Sequence, residues 1–234
     1  MIIGTRVVYA EEVSRWDAEL LQISVYRFWE DSINVMKQTA SACKDVNIPY
    51  VIHPVGYTVL NDETFGDITM MARLSDRALI LHDERNSEGA RIEGDQAEEF
   101  RKRIRTLQAD AYISFENATD TGDVKWFWNK FSDSITLDIG HVESSGLDSF
   151  EFVTALDDST INKIEYVHMH RNNGLRGGIT DHWPLTAACR EYRALQALVQ
   201  LKPEVTVILE INELDNIADS LNLLRTLREK KESL

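Results

Sequence analysis

The chain has 234 residues, 43% hydrophobic and 27% charged, with a formal net charge of −14. That is ordinary globular composition, long enough to bury one sizeable core, and no apolar run approaches the ~20 residues that cross a bilayer. The acid excess counts against an extended nucleic-acid footprint, which needs clustered lysine and arginine, while acidity around a concave site suits a cation.

The opening residues MIIGTRVVYAEEV lack the basic, apolar and small-residue sections of a secretory leader, so a cytoplasmic location is expected. The two cysteines, Cys43 and Cys189, fall on separate predicted helices and are expected to be reduced.

In chain order, short apolar or alternating runs recur with helical patterns between them. Strands are predicted at 2–8, 20–26, 50–54, 78–84, 111–118, 135–142, 164–170 and 205–211. A short helix is expected in EEVSRWDAEL after the first strand, and a longer one after the second, where Ile33, Met36, Ala40 and Cys43 share a face. Another lies near ETFGDITMMARL, and the last carries Ile217, Leu221, Leu224 and Leu227. Eight such alternations in this length predict an α/β fold of one domain, a single (β/α)8 TIM barrel, rather than an open doubly wound sheet.

Side chains alternate across a strand, which splits each run into two faces. Ile113 and Phe115 oppose Ser114 and Glu116; Ile135 and Leu137 oppose Thr136 and Asp138; Val167 and Met169 oppose Tyr166, His168 and His170; Val207 and Leu209 oppose Ile208 and Glu210. The apolar face must meet the helices, so the other points into the barrel, with an ionisable residue near the C-terminal end where barrel chemistry sits. Carboxylates there need a partner, because an unpaired buried charge costs several kcal/mol.

Glu116, Asp138, His168 and Glu210 form a set of three carboxylates and one imidazole suited to a divalent metal such as Mn, Mg, Co or Zn. His53 and His82, at the ends of strands three and four, could complete a second site with Glu116. All six histidines, including His141 and His182, fall at or beyond predicted strand ends.

Other features have plainer readings. Asn117-Ala118-Thr119 matches a glycosylation triplet by chance in a chain without a leader. The loop 83–96, with Arg85 and Arg91, is either a lid or a polar surface loop. Gly174, Gly177 and Gly178, with Arg171 and Arg176, could cradle a phosphate or form a solvated loop.

The pieces ISFENA, LDIGHV, YVHMHRNNG, DHWPL and VILEINELDNIADSLNLLRTL resemble the xylose isomerase-like barrel superfamily, which contains sugar isomerases and epimerases and the endonuclease IV class of apurinic-site nucleases. The resemblance implies that Glu116, Asp138, His168 and Glu210 are shared metal ligands, and that His141 orients substrate or serves a second metal. It makes His53 and His82 resemble the extra imidazoles of the multi-zinc nucleases, and His182 the histidine before W-P-L. The chain departs from the family at Arg171, usually aspartate, and at Thr180, where the aspartate falls instead at the adjacent Asp181. Thr186-Ala187-Ala188 replaces a Gly-Glu-Gly. The change at Thr180 counts against a three-zinc cluster and the other two against any particular sugar.

Three functions are compatible with these residues. In the first, a metal-dependent isomerase or epimerase of a small sugar, sugar phosphate or related hydroxy-carbonyl compound, Glu116 and Glu210 move the proton through an enediolate. His141, His170, Arg171, Arg176 and His182 would then bind or orient the small-molecule substrate. The second is a multi-zinc phosphodiesterase of the apurinic-site type, and the third a non-catalytic barrel that binds a metabolite or a metal.

Overall fold

The computed structural model describes residues 1–172, 181–212 and 217–232. Its strands are β1 (Ile2–Val7), β2 (Leu20–Tyr26), β3 (Tyr50–Val55), β4 (Leu79–His82), β5 (Ile113–Glu116), β6 (Ile135–Asp138), β7 (Ile164–Met169) and β8 (Thr206–Leu209). They pair in chain order, all parallel, and β8 returns to β1 to close the barrel. Closure leaves no free sheet edge, and strands β4, β5 and β6 are accordingly apolar or neutral until a last ionisable residue, His82, Glu116 and Asp138. No helix among the described residues is long and apolar enough to cross a membrane.

The helices are α1 (Ser32–Asp45), α2 (Asp62–Leu74), α3 (Gly94–Gln108), α4 (Val124–Phe131), α5 (Ile139–Ser144), α6 (Ser149–Thr154), α7 (Asp158–Lys163), α8 (Arg190–Leu201) and α9 (Ile217–Glu232). The helix expected after β1 is only the 3-10 turn Ala10–Glu12. The segment between β6 and β7 breaks into three short helices, because Asp138, Asp148 and Asp157 each accept a backbone N–H and start a new one. The first of these caps also corrects the sixth strand: it stops at Asp138, where the expected strand ran to residue 142, so His141 stands in the first turn of α5.

Strand parity is as expected. Ile23, Ile52, Leu81, Phe115, Leu137, Val167 and Leu209 face the helices within one continuous apolar cluster. The inward residues form layers. Leu20, Val51, Ala78, Ile80, Tyr166 and Ile208 make a separate apolar plug in the lower barrel. Ser114 and Thr136, adjoining strand residues, share a hydroxyl hydrogen bond of 2.8 Å, and the ionisable residues follow at the strand ends.

Two loop anchors fix the upper rim. Asn117, fully buried, donates to the Asp138 carbonyl at 2.9 Å and accepts from the Asp138 N–H at 2.8 Å. Its side chain thus extends the β5–β6 ladder by one rung, which accounts for the residue without any sugar attachment. The loop after β4 is pinned: Asp83 accepts from the N–H groups of Ala118, Thr119 and Asp120, while Arg85 and Arg91 both reach Asp123. Cys43 is buried in α1 and Cys189 precedes α8, and both are free thiols.

Replacing Asn117 with Ala leaves two buried backbone groups unpaired and should cost roughly 2–4 kcal/mol in urea unfolding. Glu84, buried beneath the loop after β3, accepts from the N–H groups of Val59 and Leu60, yet burial pushes its carboxyl from 4.5 up to about 7. The folded chain therefore holds that proton to higher pH than the unfolded chain. Its contribution is complete below about 4.5 and is lost as pH rises through about 7. Wild-type stability should fall relative to Glu84→Gln across that window, by up to about 3 kcal/mol, in paired melts at stepped pH.

Candidate metal centre

β5 and β6 end on Glu116 and Asp138, β7 carries His168 as its penultimate residue, and Glu210 directly follows β8. His82 stands opposite Glu116 and Asp138 opposite His168, whereas Glu116 is opposite Thr136 and His168 opposite Ile208, so the strands are staggered and their inward side chains converge at the mouth from successive levels. The four predicted ligands come together as expected: each offers an atom within 4.8 Å of every other.

Glu116 is the hub. Its Oε2 lies 3.2 Å from His53 Nε2, 3.3 Å from His168 Nδ1 and 3.7 Å from His82 Nε2, and its Oε1 lies 3.2 Å from His141 Nδ1. His168 Nδ1 is in turn 3.6 Å from Glu210 Oε1. Asp138 accepts at Oδ1 from the His141 N–H and faces His141 Nδ1 at 3.3 Å with Oδ2.

Two further sets adjoin this one. His53, His82 and Glu116, the residues of the possible second site, come together, and His141, His170, Asp181 and His182 converge beside Asp138. Asp181, whose displacement by one residue from the family's position counted against a third set, is a member of it: its Oδ1 lies 2.9 Å from His170 Nδ1. Arg171 stands apart, pairing with Trp183 and donating to the Pro184 carbonyl while lining a separate cavity with Glu143 and Cys189. Arg176, Thr180 and the three glycines of the phosphate-cradle reading lie outside the described residues.

The donor atoms fit a divalent cation. Both oxygens of Glu116, Asp138 Oδ2, both nitrogens of His168 and His141 Nδ1 are buried without a hydrogen-bond partner, an arrangement that costs several kcal/mol unless a positive charge meets it. His53 Nδ1 bonds the Ile80 carbonyl at 3.0 Å and His182 Nδ1 the Glu210 carbonyl at 2.9 Å. A carbonyl only accepts, so each Nδ1 carries a hydrogen and each ring turns its Nε2 away from that carbonyl, the orientation metal-bound imidazoles take.

Protonation reflects the same crowding. Burial works against the charge on His141, but Asp138 and then Glu116 outweigh it and raise the imidazole to about 9. His168 goes to about 9 as well, where Glu210 and Glu116 overcome its burial. For His82 and His182 burial wins, and both fall to about 4. Burial would raise Glu116, but the charges of His168 and His53 hold it well below the ordinary carboxylate range.

Sequence reading did not assign Gln22 or Gly140. Gln22 faces inward on β2 and donates to Glu210 Oε1. At Gly140 any Cβ would stand 2.1 Å from His170 Cε1, so only glycine lets that ring lie against α5.

No family model and no curated protein sequence matches the chain. Solved structures do. A D-tagatose 3-epimerase-like protein superposes with a TM-score of 0.70 at 15% identity, covering 100% of this chain and 99% of that one. D-psicose 3-epimerase with D-tagatose from Clostridium cellulolyticum H10 follows at 0.61 and 12%, covering 97% and 99%. The IolI protein with a binding zinc atom matches at 0.59 and 13%, covering 98% and 96%. The shared feature is the closed (β/α)8 barrel. Identities this low establish the barrel, and the ligand sets are a property of this chain's own residues.

Adding a divalent cation should raise the melting temperature and chelation should lower it, because a ligand held only by the folded state stabilises it. Asp138→Asn should remove most of that increment. His141 and His168, raised to about 9, must lose protons to bind. Cation affinity should therefore climb as pH rises from neutral towards 9, with proton release visible in titration calorimetry run in two buffers.

Proposed function

We propose that the chain is a divalent-metal-dependent isomerase or epimerase of a small hydroxy-carbonyl compound of the sugar class. The observation that carries this reading is the convergence of two buried glutamates, Glu116 and Glu210, on His168, at 3.3 and 3.6 Å from its Nδ1. They come from strands that are not neighbours, so they can address opposite faces of one bound carbon. The epimerases among the similar structures support the choice of substrate class.

A cation held by Glu116, Asp138, His168 and Glu210 would polarise a carbonyl and its neighbouring hydroxyl and acidify the C–H between them. One glutamate then takes that proton, and the C–H electron pair moves to the carbonyl oxygen as an enediolate forms. The other glutamate, protonated in its turn, returns a proton to the opposite face for epimerisation, or to the adjacent carbon for isomerisation. Gln22 restrains Glu210 through its hydrogen bond, and His141 stands beside Glu116 and Asp138, placed to donate to a substrate oxygen. His170 and His182 bound the site on the β7–β8 side.

The surplus of imidazole favours a second reading. A one-cation epimerase has no use for the His53–His82–Glu116 set or the His141–His170–Asp181–His182 set, whereas a cluster of two or three zinc ions serves phosphodiester hydrolysis of the apurinic-site kind. Cation stoichiometry by elemental analysis separates the two, one per chain for the isomerase and two or three for the hydrolase.

The direct test reconstitutes the protein with Mn²⁺ and incubates it with D-tagatose and other ketoses in D₂O. Solvent deuterium should enter next to the carbonyl, and Glu210→Gln should slow that exchange by about 10²- to 10⁴-fold. Absence of exchange across the ketoses, together with hydrolysis of bis(p-nitrophenyl) phosphate, would replace the first reading with the second.

A further inference from the structure

Large aromatic side chains left open to water mark a surface that something covers. Among the described residues the exposed aromatics are Tyr9 (42%), Phe28 (85%), Trp29 (49%) and Tyr112 (51%). Tyr112 precedes β5 at the closed end of the barrel. The other three lie in the loops after β1 and β2, on the rim of the mouth.

Local structure builds Tyr9 and Trp29 into a wall with Tyr26, while Phe28 lies outside it beside Arg27. The Trp29 N–H donates to the Tyr26 carbonyl at 3.1 Å, closing a tight turn, and the Arg27 N–H ties that turn to Val55 at the end of β3. Trp29 is thereby folded back onto Tyr26, their rings stacked 4.3 Å apart and 25° from parallel. With Tyr9, Arg6, Asn212 and His182 they line a cavity of about 410 Å³. His182 also belongs to the third ligand set, so this cavity and the metal centre share a wall.

The charges of the lining are already engaged. Arg6 donates to the Tyr26 hydroxyl from one terminal nitrogen, and to the Ile211 carbonyl and Asn212 Oδ1 from the other. Glu12 accepts from the N–H groups of Val8 and Tyr9. A phosphate would find its natural cation occupied, and a nucleic-acid backbone would also meet Glu11, Glu30 and Asp31 along these loops. An uncharged ring, laid flat on an aromatic face and edged by polar groups, meets neither objection.

We infer that the Tyr9–Tyr26–Trp29 wall binds an uncharged ring of the substrate, making that substrate a ring-bearing neutral carbohydrate rather than an open-chain sugar phosphate. Trp29 is then a specificity-determining residue that touches the ligand. The identity of the reacting carbon rests on the isomerase reading above, but the stacking does not.

The probes are phenyl β-D-glucopyranoside, a neutral glycoside, and ribulose 5-phosphate, titrated into the full chain by calorimetry with saturation-transfer NMR to locate the contact. The glycoside should bind more tightly than the phosphate. Trp29→Ala should weaken glycoside binding about three- to tenfold, the range an aromatic face contributes, and Trp29→Phe should restore most of it, which excludes a folding defect. Glu210→Gln should leave glycoside binding within about twofold of wild type while slowing deuterium exchange by about 10²- to 10⁴-fold, so loss of the reaction and loss of the ring subsite read out separately.

Three results would overturn the inference. The first is unchanged glycoside binding in Trp29→Ala, and the second is tighter binding of ribulose 5-phosphate. The third is a wild-type dimer that becomes monomeric on Trp29→Ala in sedimentation, which would show a second copy of the chain covering the wall.

Discussion

Glu116 has no exposed surface, and its two oxygens face imidazoles from β3, β4, β7 and α5. A carboxylate in that position is costly, and the groups around it respond as electrostatics requires. His141 and His168 rise to about 9 beside the acids, while His82 and His182, where burial dominates, fall to about 4. That division partly neutralises the mouth but leaves like-charged imidazoles close together, such as His141 and His170 with ring centres 5.4 Å apart. A cation at the convergence point would meet the acids directly and let those imidazoles shed their protons.

Such a cluster is tolerable only on a rigid base. The barrel supplies one in layers: the plug of Leu20, Val51, Ala78, Ile80, Tyr166 and Ile208 excludes water from below, and the Ser114–Thr136 hydrogen bond joins β5 to β6 just beneath Glu116 and Asp138. Above, Asn117 extends that strand pair and Asp83 gathers three successive backbone N–H groups. Stability is thus concentrated in the lower barrel, and the rim is held by specific hydrogen bonds.

Most of this could be read before any coordinates, because one rule governs it. Inside a parallel barrel both strand faces are buried, so a polar residue such as Ser114, Thr136 or Glu116 alternating with Ile113, Phe115 and Leu137 can only point inward. The same rule applied to LLQISVY would have found Gln22, which was passed over because glutamine carries no charge to demand a partner. The end of β6 was less accessible, since Asp138 is both the last inward residue and the cap of α5, and alternation cannot distinguish the two roles. Gly140 was hidden for another reason: its necessity comes from His170, thirty residues later, lying against it. Asp181 joins its set because the backbone turns sharply at His182, a conformation that spacing alone does not convey.

That turn links the two halves of the mouth. His182 has a φ of 61°, a left-handed conformation that costs a residue with a Cβ about 1 kcal/mol and persists only where surroundings enforce it. Here they do: its Nδ1 bonds the Glu210 carbonyl at 2.9 Å, and its own carbonyl accepts from the Asn212 N–H at 3.0 Å. Asn212 in turn holds Arg6, Arg6 holds Tyr26, and Tyr26 carries Trp29. Relaxing His182 to an ordinary helical or extended φ would break the first two of these bonds and misplace one ligand of the third set. The strained residue therefore fixes the distance from the acids of β5–β8 to the aromatic wall of β1–β2, and with it the span of any molecule that reaches both.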